Sequence, residues 1–355
     1  MSDGPVNITN PNSLRAEAAD EGREGAAAMV AAVQTPDGAA SAIAQQRLKE
    51  VRACCEAIRE EVASLFIGPA EVVDALLVAL FARGHILLEG VPGVAKTTLC
   101  RAFAQTLAAD FRRVQFTPDL LPSDITGTYV PDLRTSEFTL RRGPVFTNVL
   151  LGDEINRAPA KTQSAMLEAM QERQVTIEGV THRLSSPFIV LATQNPVEQE
   201  GVYPLPEAQL DRFLIKLTLG YPSADQELEV LKTHRRHRPE ARQVIGGEEV
   251  AAIAELVEEV HVSHELMRYI LGLVRQTRTD TRALLGASPR ASLALLKAAQ
   301  ARALIRGRGY VLPDDIQAMA VSVLAHRIVL HPDAELDGTT GELLIESALR
   351  AVRYG

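Results

Sequence analysis

Apolar positions along this chain follow two different periods, and the switches between them divide it. From about residue 46, Leu48, Val51, Cys55 and Ile58 fall at helical spacing, and Val72, Leu76, Leu77 and Leu80 do so again. After Gly84, the run His85-Ile86-Leu87-Leu88-Glu89 is short, apolar and stopped by glycine, the pattern of a strand covered on both faces. Runs 113–116, 149–151, 188–192 and 213–219 share that character. Helical patterns over Thr97–Ala108 and Ala160–Glu172 separate the first strand from the second and the third from the fourth. Strands alternating with helices predict an α/β fold, a parallel sheet with helices on both faces.

Two segments interrupt the alternation. Residues 124–146 carry the alternating piece Glu137-Phe138-Thr139-Leu140-Arg141, and residues 174–184 alternate around Glu178-Gly179, a hairpin signal. Both read as insertions hung from the sheet. Beyond Tyr221-Pro222 the strand signals stop. Ser223 and Gln226 form a capping-box pair, Ser288-Pro289 puts proline at a helix's first position, and Asp314 after Pro313 is placed to cap another helix. The expected organisation is a tail over 1–45, a core over 46–221 and a helical domain over 222–355. The tail is rich in Ala, Gly, Ser, Asp and Asn with few large apolar residues. It cannot bury enough surface to offset its ordering entropy and is expected to be disordered.

Charge and composition narrow the functional classes. Among 355 residues, 45 acidic against 37 basic side chains leave a net charge of −8, which repels a polyanion. Nine phenylalanines, six tyrosines and no tryptophan supply no basic-aromatic stacking platform for a nucleic acid. Cys54, Cys55 and Cys100 are too few for a disulfide framework, and the opening MSDGPVNITNPNS lacks a signal peptide's basic and apolar regions. The expectation is a cytoplasmic protein without a membrane span.

Directly after the first strand stands Gly90-Val91-Pro92-Gly93-Val94-Ala95-Lys96-Thr97, followed by Thr98 and an apolar helix start. Between a strand and a helix, such a loop turns backbone N–H groups toward a phosphate, reinforced by the helix N-terminus. Lys96 reaches the β- and γ-phosphates and Thr97 offers a hydroxyl to Mg²⁺. The second glycine of the usual pattern is Ala95 here, a methyl that is tolerable at a negative φ. The third strand ends in Asp153-Glu154, a costly pair unless it faces a cation. Asp153 is placed to help hold Mg²⁺ and Glu154 to polarise the attacking water; an acidic helix cap at Asp153 is the plainer alternative. Asn195 ends the fourth strand, where its amide can touch the γ-phosphate and that water, or simply make a turn before Pro196.

The wording and order of Gly90–Thr97, LLPSDITG (120–127), DEINRAPAK (153–161), ATQNP (192–196) and LPEAQLDRF (205–213) resemble the MoxR family of AAA+ ATPases, over about residues 60–330. The resemblance implies a five-stranded sheet of order 5-1-4-3-2 with a C-terminal all-α lid, and it matches the two insertions to the helix-2-insert branch. It implies ATP and Mg²⁺ as ligands, Asn195 as first sensor, Arg212 as arginine finger and Arg290 as second sensor reading the γ-phosphate and moving the lid. Arg157, just past Glu154, rivals Arg212 as the trans-acting arginine. Further implications are a homo-oligomer, a hexameric ring with sites at subunit interfaces, and chaperone-like maturation of a client enzyme, including metal-cofactor insertion. A von Willebrand factor A-domain protein is the implied partner. A helicase-like motor and a nucleotide-gated scaffold with little turnover are the competing functions. Histidine pairs His234/His237 and His261/His264 lack a third ligand of useful spacing. The run Lys232–Arg238 reads as a solvated helix end, Leu293, Leu296, Ala299 and Ala303 as a core stripe, and Cys100 as packing.

Overall fold

A computed structural model describes residues 43–91, 93–134, 136–195, 202–234 and 240–354. Nearly all of the expected tail lies outside them, as do Pro92, Pro196 and the end of the basic run 232–238. Ile43 is already buried, and Ile43–Gly355 is one compact unit.

The chain runs through α1 (Gln45–Ala63), α2 (Ala70–Phe81), β1 (Ile86–Gly90), α3 (Lys96–Thr106), β2 (Phe111–Gln115), α4 (Pro122–Thr126), β3 (Gly127–Asp132), β4 (Glu137–Arg142), β5 (Val149–Asp153), α5 (Ala160–Glu172), β6 (Gln174–Ile177), β7 (Val180–Arg183), β8 (Ile189–Gln194), α6 (Glu207–Leu210) and β9 (Ile215–Leu219). Five of these strands pair in parallel in the order β2-β5-β8-β1-β9. Counted first to fifth along the chain, that is the order 5-1-4-3-2. Alternate residues of the central strands β1, β5 and β8 feed opposite cores: Ile86, Leu88, Val149 and Leu151 enter one apolar cluster, and Leu87, Leu150 and Val190 the other. Burial on both faces is why the strands read as continuous apolar runs. Two antiparallel pairs stand outside the sheet, β3 with β4 and β6 with β7, within 124–146 and 174–184. Leu133 and Phe138 are exposed near the tip of the first.

The remainder is α7 (Ala224–His234), α8 (Gly247–Glu259), α9 (His264–Thr279), β10 (Ala283–Leu285), α10 (Pro289–Ile305), α11 (Pro313–Leu324), β11 (Val329–Leu330), α12 (Pro332–Leu336) and α13 (Gly341–Ala351). The amide of Gln226 donates to Ser223 Oγ at 3.3 Å and the Ser223 amide to Gln226 Oε1 at 2.9 Å, closing the capping box before α7. Pro289 opens α10 at its first turn. Two sequence expectations change here. The carboxylate capping α11 belongs to Asp315, which accepts from the Leu312 amide at 2.9 Å, because the helix starts at Pro313 and the third residue reaches back. Strands do not stop at Pro222: β10 and β11 pair antiparallel, in pieces too short for alternation to register. Among the described residues, no helix is long and apolar enough to cross a membrane.

Candidate functional site

The Gly90–Thr97 loop, the candidate phosphate loop, leaves β1 at Gly90, where a β-carbon would stand 2.6 Å from the Leu219 carbonyl oxygen of β9. Glycine is therefore demanded by the close approach of two strands. Gly93 follows at φ +89° with open space around it. Ala95 then takes φ +57° and ψ +25°, a left-handed turn into α3. The expectation of a negative φ at Ala95 is overturned. Its methyl is exposed, so the cost lies in the backbone, about 1–2 kcal/mol relative to glycine. Thr97 and Thr98 are half-buried in the first turn of α3, whose leading N–H groups have no partner within the helix. Lys96 Nζ donates to the Gly90 carbonyl at 2.6 Å. Burial lowers its pKa, opposed by the nearby charges of Asp153 and Glu154. Cys100, one turn on, is fully buried, and burial pushes its thiol pKa up.

The acidic pair closes the other side of the site. Asp153 Oδ1 accepts from Thr193 Oγ1 at 2.6 Å, while Oδ2 accepts from Arg113 Nη2 at 2.6 Å and Nε at 3.1 Å. Glu154 sits at φ +56°, and its amide donates to the same Thr193 hydroxyl at 2.8 Å. One β8 hydroxyl thus holds both acids. The Glu154 carboxylate accepts from Gln115 Nε2 at 2.7 Å and pairs with Arg157 Nε at 3.1 Å. Arg157 is therefore occupied within its own chain. Asn195 is 5% exposed where β8 ends. Sequence reasoning missed Thr193, Gln115 and Arg113. Their signal was present as polar residues within or near the ends of the sheet strands: Gln115 ends β2 and pairs directly with Asp153, Thr193 stands next to last in β8, and Arg113 lies mid-strand in β2.

Mg²⁺ fits this donor set. Thr97 and Asp153 are hard oxygen donors, and Asp153 is oriented by donors on both oxygens. Among the described residues there is no cluster of three or more His, Cys, Asp or Glu able to cage a metal. An ion here would draw its other ligands from phosphate and water, as magnesium commonly does.

Two cavities flank the loop's strand. The first, about 450 Å³, adjoins Gly93–Ala95 and is walled by Phe66, Ile67, Leu219, Tyr221 and Leu231. Its volume and apolar lining suit a flat heterocycle. The α7 helix contributes Val230 and Leu231 to it and has no buried side chain among its described residues.

The second, about 340 Å³, lies at the opposite end of β1, against Arg83, Gly84 and His85. Arg212 and Arg290 both line it, with Arg173, Lys297, Arg327 and one carboxylate, Asp211. Gly90 stands five positions beyond His85 along the strand, a span of about 16 Å. The structure thus brings Arg212 and Arg290 together but not beside Lys96, and Arg290 does not sit over its own chain's loop. Asp211 is held by Arg327 Nε at 2.7 Å. Leu293, expected in the core, is 61% exposed at this cavity, since α10 buries Ala291, Ala294, Leu295, Ala298 and Ala299 instead.

Residues 85–215 match the model of the ATPase family associated with various cellular activities (AAA), and residues 275–348 match the AAA lid domain. The chain is 46% identical to "Chaperone MoxR1" of Mycobacterium tuberculosis over 82% of this chain and 80% of that protein. Identity to YeaC of Bacillus subtilis is 49%, over 83% and 92%. "Protein MoxR" of Methylorubrum extorquens is 32% identical over 81% and 91%. A crystal structure of a candidate ATPase from Cytophaga hutchinsonii superposes with a TM-score of 0.82 at 42% identity, covering 87% of this chain and 97% of that one. With its sheet order, phosphate loop and acidic pair, the chain belongs to the MoxR family of AAA+ ATPases.

Proposed function

We propose that this protein is a magnesium-dependent ATP hydrolase that works as a ring, most simply a hexamer, and spends hydrolysis on remodelling or maturing a protein client. The observation that carries the ring is the second cavity. Arg212 and Arg290 converge about a strand's length from their own phosphate loop, so they are available to a nucleotide held by a neighbouring subunit. Arg212 serves as the finger. Arg290 reads the neighbour's γ-phosphate rather than its own.

In this reading ATP seats its base in the cavity beside Tyr221 and its phosphates on Gly90–Thr98. Lys96 leaves the Gly90 carbonyl for the β- and γ-phosphates. Thr97 and Asp153 hold Mg²⁺, which supplies charge neutralisation on the phosphate oxygens. Glu154 orients and polarises the attacking water, and Asn195 holds that water against the γ-phosphate. Thr193 keeps the two acids in register. The name "Chaperone MoxR1" on a relative supports a protein client. A von Willebrand factor A-domain partner and metal-cofactor insertion remain the finer proposal, on the family likeness alone.

Turnover per subunit, measured by phosphate release across a dilution series with sedimentation alongside, tests the reading. It should rise steeply where the protein assembles, and Glu154→Gln should bind ATP while releasing almost no phosphate. Constant specific activity down to monomer would refute the ring.

A further inference from the structure

The second cavity is more positive than two trans-acting arginines require. In a chain of net charge −8, six basic side chains line it against a single carboxylate. Asp211 is spent on Arg327. Arg173 donates to the Arg83 carbonyl at 2.9 Å, and Arg83 faces Glu255 at 3.9 Å. Among the described residues, no carboxylate pairs with the remaining three, Arg212, Arg290 and Lys297. Glu168 and Glu172 share a neighbouring pocket with Arg212 without pairing with it.

The setting of Lys297 separates it from an ordinary solvated lysine. The 17 residues of α10 contain no Asp or Glu, so the usual partner three or four positions away is missing. Arg290 stands in the first turn of the same helix, where the macrodipole disfavours a cation and favours an anion. Arg290 and Lys297 are seven residues apart, two turns along one face, about 10 Å on the helix axis. Ala294 lines the cavity between them, and Leu293 presents an exposed apolar side chain beside it. Three unpaired cations, one helix start and an apolar rim describe a site for a highly charged anion that arrives from outside the subunit.

We propose that Lys297 is a third cation of the shared site, binding the triphosphate held by the neighbouring subunit's phosphate loop together with Arg212 and Arg290. This rests on the ring reading above. A lysine ammonium suits the task, being a compact charge with three donors on a flexible stem that can follow phosphate oxygens as subunits shift.

The test mixes full-length subunits. Lys297→Ala should lower kcat/KM for ATP about tenfold, the scale of one lost charge-assisted contact. Binding of a fluorescent ATP analogue to dilute protein should be unchanged, since the protomer's own loop is intact. Lys297→Arg should recover most of the activity and Lys297→Met, matched in length, should not. An equimolar mixture of Lys297→Ala with Lys96→Ala should exceed the mean of the two alone, because an intact loop then meets an intact lysine across some interfaces. Arg212→Ala mixed with Lys96→Ala serves as reference. Recovery in the reference but not with Lys297→Ala overturns the lysine assignment and leaves the ring reading standing. Recovery in neither overturns both. A Lys297→Met variant as active as wild type also overturns the assignment.

Discussion

Arg327 offers the sharpest test of how the two halves of the chain are joined. Its side chain is 3% exposed and sits on the turn after α11. Nε donates to Asp211 Oδ1 at 2.7 Å and Nη2 to the Phe213 carbonyl at 2.7 Å; Nη1 reaches the Leu214 carbonyl at 3.4 Å and also the Val323 carbonyl. Replacing it with leucine strips these carbonyls of a donor and removes the guanidinium that Asp211 is bonded to, leaving it only the more distant cations of the cavity. Orphaning one member of a buried pair costs about 3–5 kcal/mol. The compact unit from Ile43 to Gly355 spans 355 − 42 = 313 residues. At about 2.1 cal/mol/K per residue its unfolding entropy is about 0.66 kcal/mol/K, so Tm should fall by about 5–8 °C. Denaturant unfolding of Arg327→Leu, Asp211→Asn and the double variant closes a cycle, with a coupling of about 2 kcal/mol or more expected between the two positions. A loss under 1 kcal/mol for Arg327→Leu, or strict additivity, would show that the lid is not pinned to the Asp211–Leu214 segment in this way.

Other predictions bear on the site itself. Arg212→Ala should leave nucleotide binding nearly intact while turnover drops by about 10³–10⁵, the range of a trans arginine; equal loss of both would remove the finger role. Ala95→Gly should raise stability by up to about 1 kcal/mol, relief of the left-handed backbone less the added freedom of the unfolded chain, and calorimetry showing a loss would contradict the strain assigned there. His85 is buried, its Nδ1 accepts from the Val190 amide, and burial lowers its pKa to about 4. Stability is thus complete above about pH 6.5 and declines as the pH falls toward 4, by about 2 kcal/mol at pH 5. His326 shifts in the same direction, and a denaturation midpoint flat from pH 7 to 5 would exclude both. Finally, amide exchange over α7 should slow when ATP is added to Glu154→Gln, since the base would give that helix something to pack on; unchanged exchange would place the base elsewhere.

The three central strands β1, β5 and β8 were legible because burial on both faces leaves a short apolar run that little else produces, while the edge strands β2 and β9 keep polar residues on their open face and read more weakly. Their ends moved by a few residues, since Gly90, Asp153 and Gln194 pair in the ladder while reading as loop residues. Loop and acids were legible for a different reason: Lys96 is tied to β1 by local spacing, and Asp153 terminates its own strand. What spacing could not convey is which strands become neighbours. The Thr193–Asp153 and Gln115–Glu154 contacts exist only because β8 and β2 flank β5, and the Arg327–Asp211 pair joins residues 116 positions apart. Leu293 was misplaced for want of contrast, since α10 carries alanine on several sides and its apolar face is set by tertiary packing.

The larger of the two apolar clusters takes Leu76, Leu80, Leu88 and Leu99 together with Leu295, Leu304, Ile316 and Ile345, and α10 packs directly on α1 and α2. Prising the last four out would expose about 1.5–3 kcal/mol of apolar surface per residue, about 6–12 kcal/mol in all. Such a molecule has no cheap internal hinge along that seam. In the ring proposed above, compliance would therefore fall at the borders between subunits, and whole subunits would tilt against one another around a shared triphosphate, like staves of a barrel rather than jaws.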